Sequence, residues 1–184
     1  MQNVAVSLRR AKPSDAVAIA TICTDSFYGE HELKDGPIKF SQRAAVWSKV
    51  YLAVSRRLQF EGQRECRLVV ASDARGGPLI GCVDLAERRF ELTRDEMPSG
   101  GRHAWRPYVA SLAVDRAYRR RGVARCLVGE AERVARSWGH GEVSAQNEPA
   151  LAFYRREGLV VVFLSDAENV LCAAPARLYI SLSF

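Results

Sequence analysis

The residues best suited to chemistry lie between positions 116 and 125, where basic side chains crowd around one glycine. Five of these ten positions are arginine, and Gly122 and Ala124 stand among them. Strand-like residues precede the turn and a helical pattern follows it from Val123. The free N–H groups and positive dipole end of a helix start bind anions, and small residues let a phosphate approach the backbone. The segment therefore predicts either a diphosphate site or an ordinary solvated basic helix start.

Other phosphate and metal motifs do not fit this chain. The turn lacks both the Gly-Lys-Ser/Thr of nucleotide-binding loops and the Gly-x-Gly-x-x-Gly of dinucleotide-binding folds. The five cysteines and three histidines are dispersed without metal-ligand spacing. We therefore expect reduced thiols and no metal site.

The basic turn resembles the acetyl-CoA loop of the GNAT superfamily of N-acetyltransferases. That loop reads Gln/Arg-x-x-Gly-x-Gly/Ala after an apolar-Ala-Val triplet, and residues 119–124 and 112–114 fill the two patterns. A second family signature, Asn-x-x-Ala-x-x-(Phe/Leu)-Tyr-x-x-x-Gly-Phe, matches residues 147–159 except that Leu159 replaces the usual Phe. The resemblance is close over about 108–164. Within the superfamily, the chain resembles the ribosomal-protein-alanine N-acetyltransferase-like branch and the plastid GNAT branch.

The resemblance implies acetyl-CoA as co-substrate and a cofactor site built from two segments and one asparagine. Backbone groups of the triplet would bond the pantetheine, which lies between two splayed parallel strands, and the loop would hold the diphosphate. The implied cofactor-binding residues are Leu112, Ala113, Val114, Arg119, Arg120, Arg121, Gly122, Val123, Ala124, Arg125 and Asn147.

Two further residues acquire catalytic roles through the resemblance. Glu142, five residues before Asn147, would accept the proton of the amine directly or through water, at the mouth of the splay. Tyr154 would return a proton to the leaving thiolate. His140 is the alternative base. The ordinary alternatives are that Glu142 is only an exposed residue at a strand end, that His140 is a loop residue without a catalytic role, and that Tyr154 only contributes to packing.

The energetics of deprotonation favour some acceptors over others. An α-amino group, with a reference pKa near 7.8, costs about 1 kcal/mol to hold neutral at pH 7, whereas lysine costs about 4–5 kcal/mol. These costs favour an N-terminus or another amine of low pKa. We expect the acceptor to be a protein amine, an N-terminal α-amine or a lysine, that attacks acetyl-CoA directly in a ternary complex. A small-molecule acceptor (polyamine, amino acid or aminoglycoside) and a non-catalytic acetyl-CoA-binding module are the alternatives.

The elements that must position these residues alternate along the chain. The patterns predict strands at 4–9, 67–72, 79–86, 108–114, 143–145, 159–164 and 177–183, and helices from 13, over 41–60, 123–138 and 149–156. Residues 28–40 and 88–106 read as loops. We expect an α/β (α+β mixed sheet) fold of the GNAT type, with about seven strands and about four helices, as one domain over 1–184.

Composition limits the remaining possibilities. Of 184 residues, 48% are hydrophobic and 26% charged, which is ordinary for a globular protein. The net charge of +6 is compatible with phosphate ligands, but few aromatics accompany the arginines, so we expect no nucleic-acid partner. No apolar run approaches the length of a membrane helix. We expect a soluble monomer or homodimer in the cytoplasm, or in the plastid stroma if a transit peptide has been removed.

Overall fold

The computed structural model describes residues 5–27, 37–59, 66–74, 76–91, 103–140, 142–145, 160–164 and 177–181. These residues form seven strands and three α-helices. The strands are β1 (Val6–Arg10), β2 (Cys66–Asp73), β3 (Leu79–Glu91), β4 (His103–Val114), β5 (Glu142–Ala145), β6 (Val160–Leu164) and β7 (Arg177–Ser181). The helices are α1 (Ala16–Phe27), α2 (Pro37–Gln59) and α3 (Val123–Ser137).

All seven strands belong to one sheet, in the order β1-β2-β3-β4-β5-β7-β6. Strands β4 and β5 are parallel, whereas the other neighbouring pairs are antiparallel. The chain passes from β4 to β5 through α3, which is the crossover that a parallel pair requires. The mixed α/β fold class and the seven strands predicted from the sequence are confirmed.

The sheet is buried on both faces, and the alternation of side chains along β2 shows how. Val69 and Ala71 face a cluster built with α3, whereas Leu68 and Val70 face a second cluster built with α1 and α2. All four side chains are at most 3% exposed. Because successive strand residues point to opposite faces, a continuous apolar run here serves two cores.

The helix after the basic turn is the element that the sequence predicts best. Its predicted apolar stripe is largely buried, with six residues in the core: Val123, Leu127, Val128, Ala131, Val134 and Ala135. Gly139 follows its end with a φ of 85°, as expected for a glycine that terminates a helix. No helix within the described part of the chain is both long and apolar enough to cross a membrane.

Two predicted loops are wrong in part. Helix α2 begins at Pro37, inside the loop predicted over 28–40, because proline is well suited to the first turn of a helix. The connection predicted over 88–106 is shorter, since β3 runs on to Glu91 and pairs with β4 from His103. Residues 28–36 and 92–102, like the predicted helix 149–156, lie outside the described residues.

Close packing of α3 on the sheet depends on Gly81 in β3. A Cβ placed there would lie 3.0 Å from the Ala113 carbonyl oxygen, 3.0 Å from Leu127 Cδ1 and 3.3 Å from Val123 Cγ1. Gly81→Ala should therefore lower the free energy of unfolding by about 1–3 kcal/mol, the usual cost of overpacking a core. Chemical denaturation measures the change.

Gly129, in the middle of α3, supplies the matched control. A Cβ there would meet nothing within 4 Å, so Gly129→Ala should stabilise the protein by roughly 0.5–1 kcal/mol through helix propensity. A Gly81→Ala protein as stable as the wild type would contradict the close contact between α3 and β3.

Candidate active site

The basic turn between β4 and α3 has a defined backbone conformation. Asp115 Oδ1 accepts a hydrogen bond from Ala117 N at 2.8 Å, and Asp115 N donates to the Ile80 carbonyl at 2.9 Å. Gly122 is the N-cap of α3, with a φ of 85° and no side-chain cap. That φ lies in the left-handed region, which favours glycine. The chain can thus reverse sharply at Gly122 and begin α3. The first N–H groups of this helix receive no hydrogen bond from an N-cap side chain.

Arg119 lies in this turn, but its side chain folds back toward the strand. Its Nε donates to the Val114 carbonyl at 3.1 Å, and its Nη2 lies 3.3 Å from Ser26 Oγ on α1. Ser26 Oγ in turn donates to the same Val114 carbonyl at 3.4 Å. Arg119 therefore fixes the turn to the end of β4 and to α1. It also adds a positive charge to the turn.

The other residues predicted at the turn differ in how far they are exposed. Arg120, Arg121 and Arg125 are exposed, and Arg120 has a φ of 65°. The Arg121 guanidinium lies 5.7 Å from the centroid of the Tyr118 ring. Val123 is buried under the helix and Ala124 is half-buried in its first turn, so the turn concentrates positive charge around a backbone that small residues leave accessible.

Strands β4 and β5 are the parallel pair of the sheet. Within the described residues their ladder consists of Tyr108 with Ser144 and Val109 with Ala145. Strand β4 continues through the segment 110–114, whereas the described part of β5 ends at Ala145. The backbone of Leu112, Ala113 and Val114, predicted to bind cofactor, belongs to that segment.

A β-bulge interrupts the pairing of β4 with β3. Asp84 of β3 pairs with Ser111 and Leu85 pairs with Val109, so Ala110 is the extra residue on β4. A bulge bends its strand and increases the local twist. The direction of β4 therefore changes at Ala110, just before the residues predicted to bind cofactor.

Glu142 and His140, the two candidate bases, have different surroundings. Glu142 is the first residue of β5, three residues before Ala145, the last residue of the ladder. That separation is about 10 Å along a strand. His140 Nε2 is hydrogen-bonded to Glu87 Oε1 of β3, so its ring is fixed beside a carboxylate. Asn147 and Tyr154 lie outside the described residues, and their predicted roles stay predictions.

A cavity of about 530 Å³ opens on the face of the sheet covered by α1 and α2. Its apolar wall is made by Ile19, Cys23, Phe27, Val50, Ala53, Val54, Cys66, Leu68, Cys82 and Ala86. Its polar residues are Arg57, Asp84, Glu87, Arg88 and Ser111. Because Ser111 also belongs to the 110–114 segment of β4, the cavity meets the predicted cofactor edge there.

An ion pair lies on the floor of this cavity. Arg57 of α2 donates from Nε and Nη2 to Asp84 Oδ1 at 3.0 and 2.9 Å, and from Nη2 to the Leu85 carbonyl at 3.4 Å. The Arg57 and Asp84 side chains are 29% and 18% exposed. Arg57 therefore fixes α2 against β3 and balances the charge of the carboxylate.

Two buried thiols belong to the apolar wall. Cys23 Sγ and Cys82 Sγ are 3.6 Å apart, and the hydrogen bond between them, together with burial, raises the pKa of the Cys82 thiol. A protonated thiol behaves as a small apolar group with little nucleophilicity. The thiols therefore complete the apolar lining of the cavity. No group of three metal-ligating side chains occurs in the part of the chain that the structure describes.

Sequence reasoning missed the cavity residues, although one of them gave a signal. Asp84 stands alone among apolar residues in the segment Cys82–Ala86, and an isolated carboxylate in a buried strand needs a partner. Its partner Arg57 is 27 positions away on a different element, and nothing in the local pattern joins the two.

The fold and site together combine a mixed sheet that contains one parallel strand pair, a basic turn that begins a helix, and an adjoining cavity. The model of the acetyltransferase (GNAT) family matches residues 30–159. The chain therefore belongs to the GNAT family of acetyltransferases. A search of the curated proteins gave no match.

Several solved structures share the fold of this chain. The PaiA N-acetyltransferase of Thermoplasma acidophilum, in complex with coenzyme A, is 14% identical with a TM-score of 0.63, covering 96% of this chain and 98% of that one. A GCN5-related N-acetyltransferase from Ralstonia eutropha is 17% identical with a TM-score of 0.63, covering 92% and 97%. A protein of Clostridium acetobutylicum described as a predicted acetyltransferase, with acetyl-CoA, is 12% identical with a TM-score of 0.62, covering 91% and 95%.

Proposed function

We propose that this protein transfers the acetyl group of acetyl-CoA to a primary amine, and that a protein N-terminal α-amine is the favoured acceptor. The observation that carries the proposal is the basic turn that joins β4 to α3, where Gly122 is the N-cap in a left-handed conformation and gives no side-chain cap. The coenzyme A and acetyl-CoA complexes of the two similar structures support the same ligand here.

Two groups of residues would bind different parts of acetyl-CoA. The first-turn amides of α3 and the arginines around Gly122 would hold the diphosphate. Backbone groups of Leu112 to Val114 would bond the pantetheine arm, with Asn147 on its other side. One backbone N–H directed at the thioester carbonyl would stabilise the oxyanion of the tetrahedral intermediate.

The reaction then needs one proton removed and one supplied. The amine nitrogen attacks the carbonyl carbon, the C–S bond breaks, and the thiolate of coenzyme A leaves. Glu142 would accept the proton of the amine, and Tyr154 would give a proton to the thiolate. Glu142 would take this proton directly or through an intervening water molecule.

Acetyl-CoA turnover against three acceptor panels tests the proposal. The panels are peptides with free α-amines, α-blocked peptides with a free lysine, and small amines that include polyamines, amino acids and aminoglycosides. Release of free thiol with the first panel is the expected result. Turnover confined to small amines would replace the proposed acceptor, and acetyl-CoA binding without turnover of any panel would indicate a binding module.

Replacing Glu142 by Gln should change the pH profile of the reaction and leave acetyl-CoA affinity unchanged. The amide keeps the size of the side chain but cannot accept a proton near neutral pH. With an α-amine acceptor, whose reference pKa is about 7.8, solvent deprotonates more acceptor as the pH rises. The variant should therefore recover part of its rate above pH 8, and its deficit should be largest at low pH.

His140→Gln is the matched comparison for this measurement. A deficit at Glu142→Gln that does not vary between pH 6 and pH 9 would mean that the carboxylate only positions substrate. A pH-dependent deficit at His140→Gln instead would transfer the role of base to the imidazole.

A further inference from the structure

The backbone polar groups at the end of β4 point alternately to its two neighbouring strands. Asp115 N donates to the Ile80 carbonyl of β3 at 2.9 Å, so this pair is hydrogen-bonded. In an antiparallel ladder, such pairs alternate with pairs whose N–H and C=O groups point away from the partner strand. The backbone groups of Val114, which lies opposite Gly81, therefore point to the edge of β4 on which β5 lies. The same alternation directs the backbone groups of Leu112 to that edge.

Two side chains cover the last carbonyl of β4 on this edge. The Val114 carbonyl accepts hydrogen bonds from Arg119 Nε at 3.1 Å and from Ser26 Oγ at 3.4 Å. Arg119 Nη2 also donates to Ser26 Oγ at 3.3 Å. A carbonyl oxygen has two lone pairs, so these two donors satisfy it. An arm that lies along the edge would therefore pair with the Val114 N–H and with the groups of Leu112, and not with the Val114 carbonyl.

The three residues of this contact come from three different elements. Ser26 is half-buried in the last turn of α1, Val114 ends β4, and Arg119 is exposed in the basic turn. The contact therefore fixes the end of β4 and the turn against α1. Phe27, which follows Ser26 on α1, lines the cavity. The contact thus connects the proposed cofactor edge to one wall of the cavity.

We propose that Ser26 is a positioning residue for acetyl-CoA, and that it acts with Arg119 through the Val114 carbonyl. The inference rests on the proposed function. With its carbonyl held from two sides, Val114 presents its N–H to the pantetheine arm in a fixed direction, which reduces the ordering that binding requires. Arg119 thus supports the arm through the backbone, whereas Arg121 of the same turn would act on the diphosphate.

Two acetyl donors separate the arm from the diphosphate. S-acetylpantetheine contains the thioester and the arm but neither diphosphate nor adenosine, so it reports on the arm alone. We would measure kcat/KM for each donor with a saturating α-amine peptide. Ser26→Ala should lower kcat/KM about threefold with both donors, as for the loss of one neutral hydrogen bond. Arg119→Met should lower it about tenfold with S-acetylpantetheine and at least as much with acetyl-CoA, because its hydrogen bond is charged.

Two further variants are the matched controls. Ser26→Thr keeps the hydroxyl, so kcat/KM with both donors should return to near the wild-type value. Arg121 is exposed in the same turn and carries the same charge as Arg119. Arg121→Met should lower kcat/KM for acetyl-CoA but have little effect with S-acetylpantetheine, which lacks the diphosphate. Thermal unfolding checks that every variant is folded at the assay temperature.

The other possible results overturn the inference in different ways. If Arg119→Met impaired only the reaction with acetyl-CoA, as Arg121→Met should, the Arg119 guanidinium would act on the diphosphate instead. If Ser26→Ala and Arg119→Met lowered Tm but left kcat/KM unchanged with both donors, the contact would only stabilise the fold. Equal losses in Ser26→Thr and Ser26→Ala would exclude the hydroxyl as the positioning group. These three results leave the proposed function standing, whereas failure of the wild type to acetylate any α-amine peptide from acetyl-CoA would overturn that function and the inference with it.

Discussion

Replacing Tyr154 by Phe should lower kcat by about 10²–10⁴-fold, the usual contribution of a positioned general acid. The ring is retained, so packing and acetyl-CoA affinity should change little. The leaving thiolate would then have to take its proton from water, and breakage of the C–S bond would become slower. Steady-state kinetics combined with calorimetry of acetyl-CoA binding separate the two effects.

Tyr51→Phe controls for the loss of a tyrosine hydroxyl. Tyr51 is partly buried on α2, where it stacks on Trp47 with ring centroids 5.2 Å apart, and it lies outside the proposed catalytic machinery. That variant should have the kcat of the wild type. Equal kcat in the Tyr154→Phe protein and the wild type would limit Tyr154 to a packing role and leave the leaving thiolate without a protein acid.

Replacing Gly122 by Glu should weaken acetyl-CoA binding by about a hundredfold. The new side chain would occupy the approach to the first-turn amides, and its carboxylate would repel the diphosphate. Two charges a few ångströms apart near a protein surface interact with energies of about 1–4 kcal/mol, and each 1.4 kcal/mol changes an affinity tenfold. Isothermal titration calorimetry with acetyl-CoA measures the loss.

Backbone strain must be separated from this effect, because Gly122 has a left-handed conformation. Gly139, after the other end of α3, has the same φ of 85°. Gly122→Glu and Gly139→Glu should therefore each lose about 1–2 kcal/mol of stability, but only the first should lose acetyl-CoA affinity. Similar affinities in the two variants would remove the diphosphate from the helix start.

Periodicity predicted α3 well because one strongly amphipathic helix packs on one sheet face. Its apolar positions from Val123 to Ala135 are buried, and its glycine stop is in place. The start of α2 at Pro37 was missed because a polar, glycine-containing stretch precedes it. The extension of β3 to Glu91 was missed because residues 87–91 are mostly charged and have no alternation of apolar and polar residues.

The candidate site likewise has one part that the sequence predicts and one part that it does not. The basic turn is local in sequence, so its residues can be recognised from spacing alone. The cavity gathers side chains from α1, α2 and three strands, from Ile19 to Ser111. The pairing of Arg57 with Asp84 depends on how α2 crosses the sheet, which no local pattern specifies. The cavity is therefore the part of the candidate site that local sequence patterns do not reveal.

The absence of a side chain at Gly81 has a consequence for distances within the proposed cofactor site. The pantetheine arm of acetyl-CoA can span only a limited distance between diphosphate and thioester, so the proposed binding mode requires the helix start and the segment 110–114 of β4 to stay close together. Val123 and the Ala113 carbonyl, one from each place, both lie within 3.3 Å of where a Cβ at position 81 would be. On that proposal, the size of residue 81 sets the spacing between the two places that would hold acetyl-CoA.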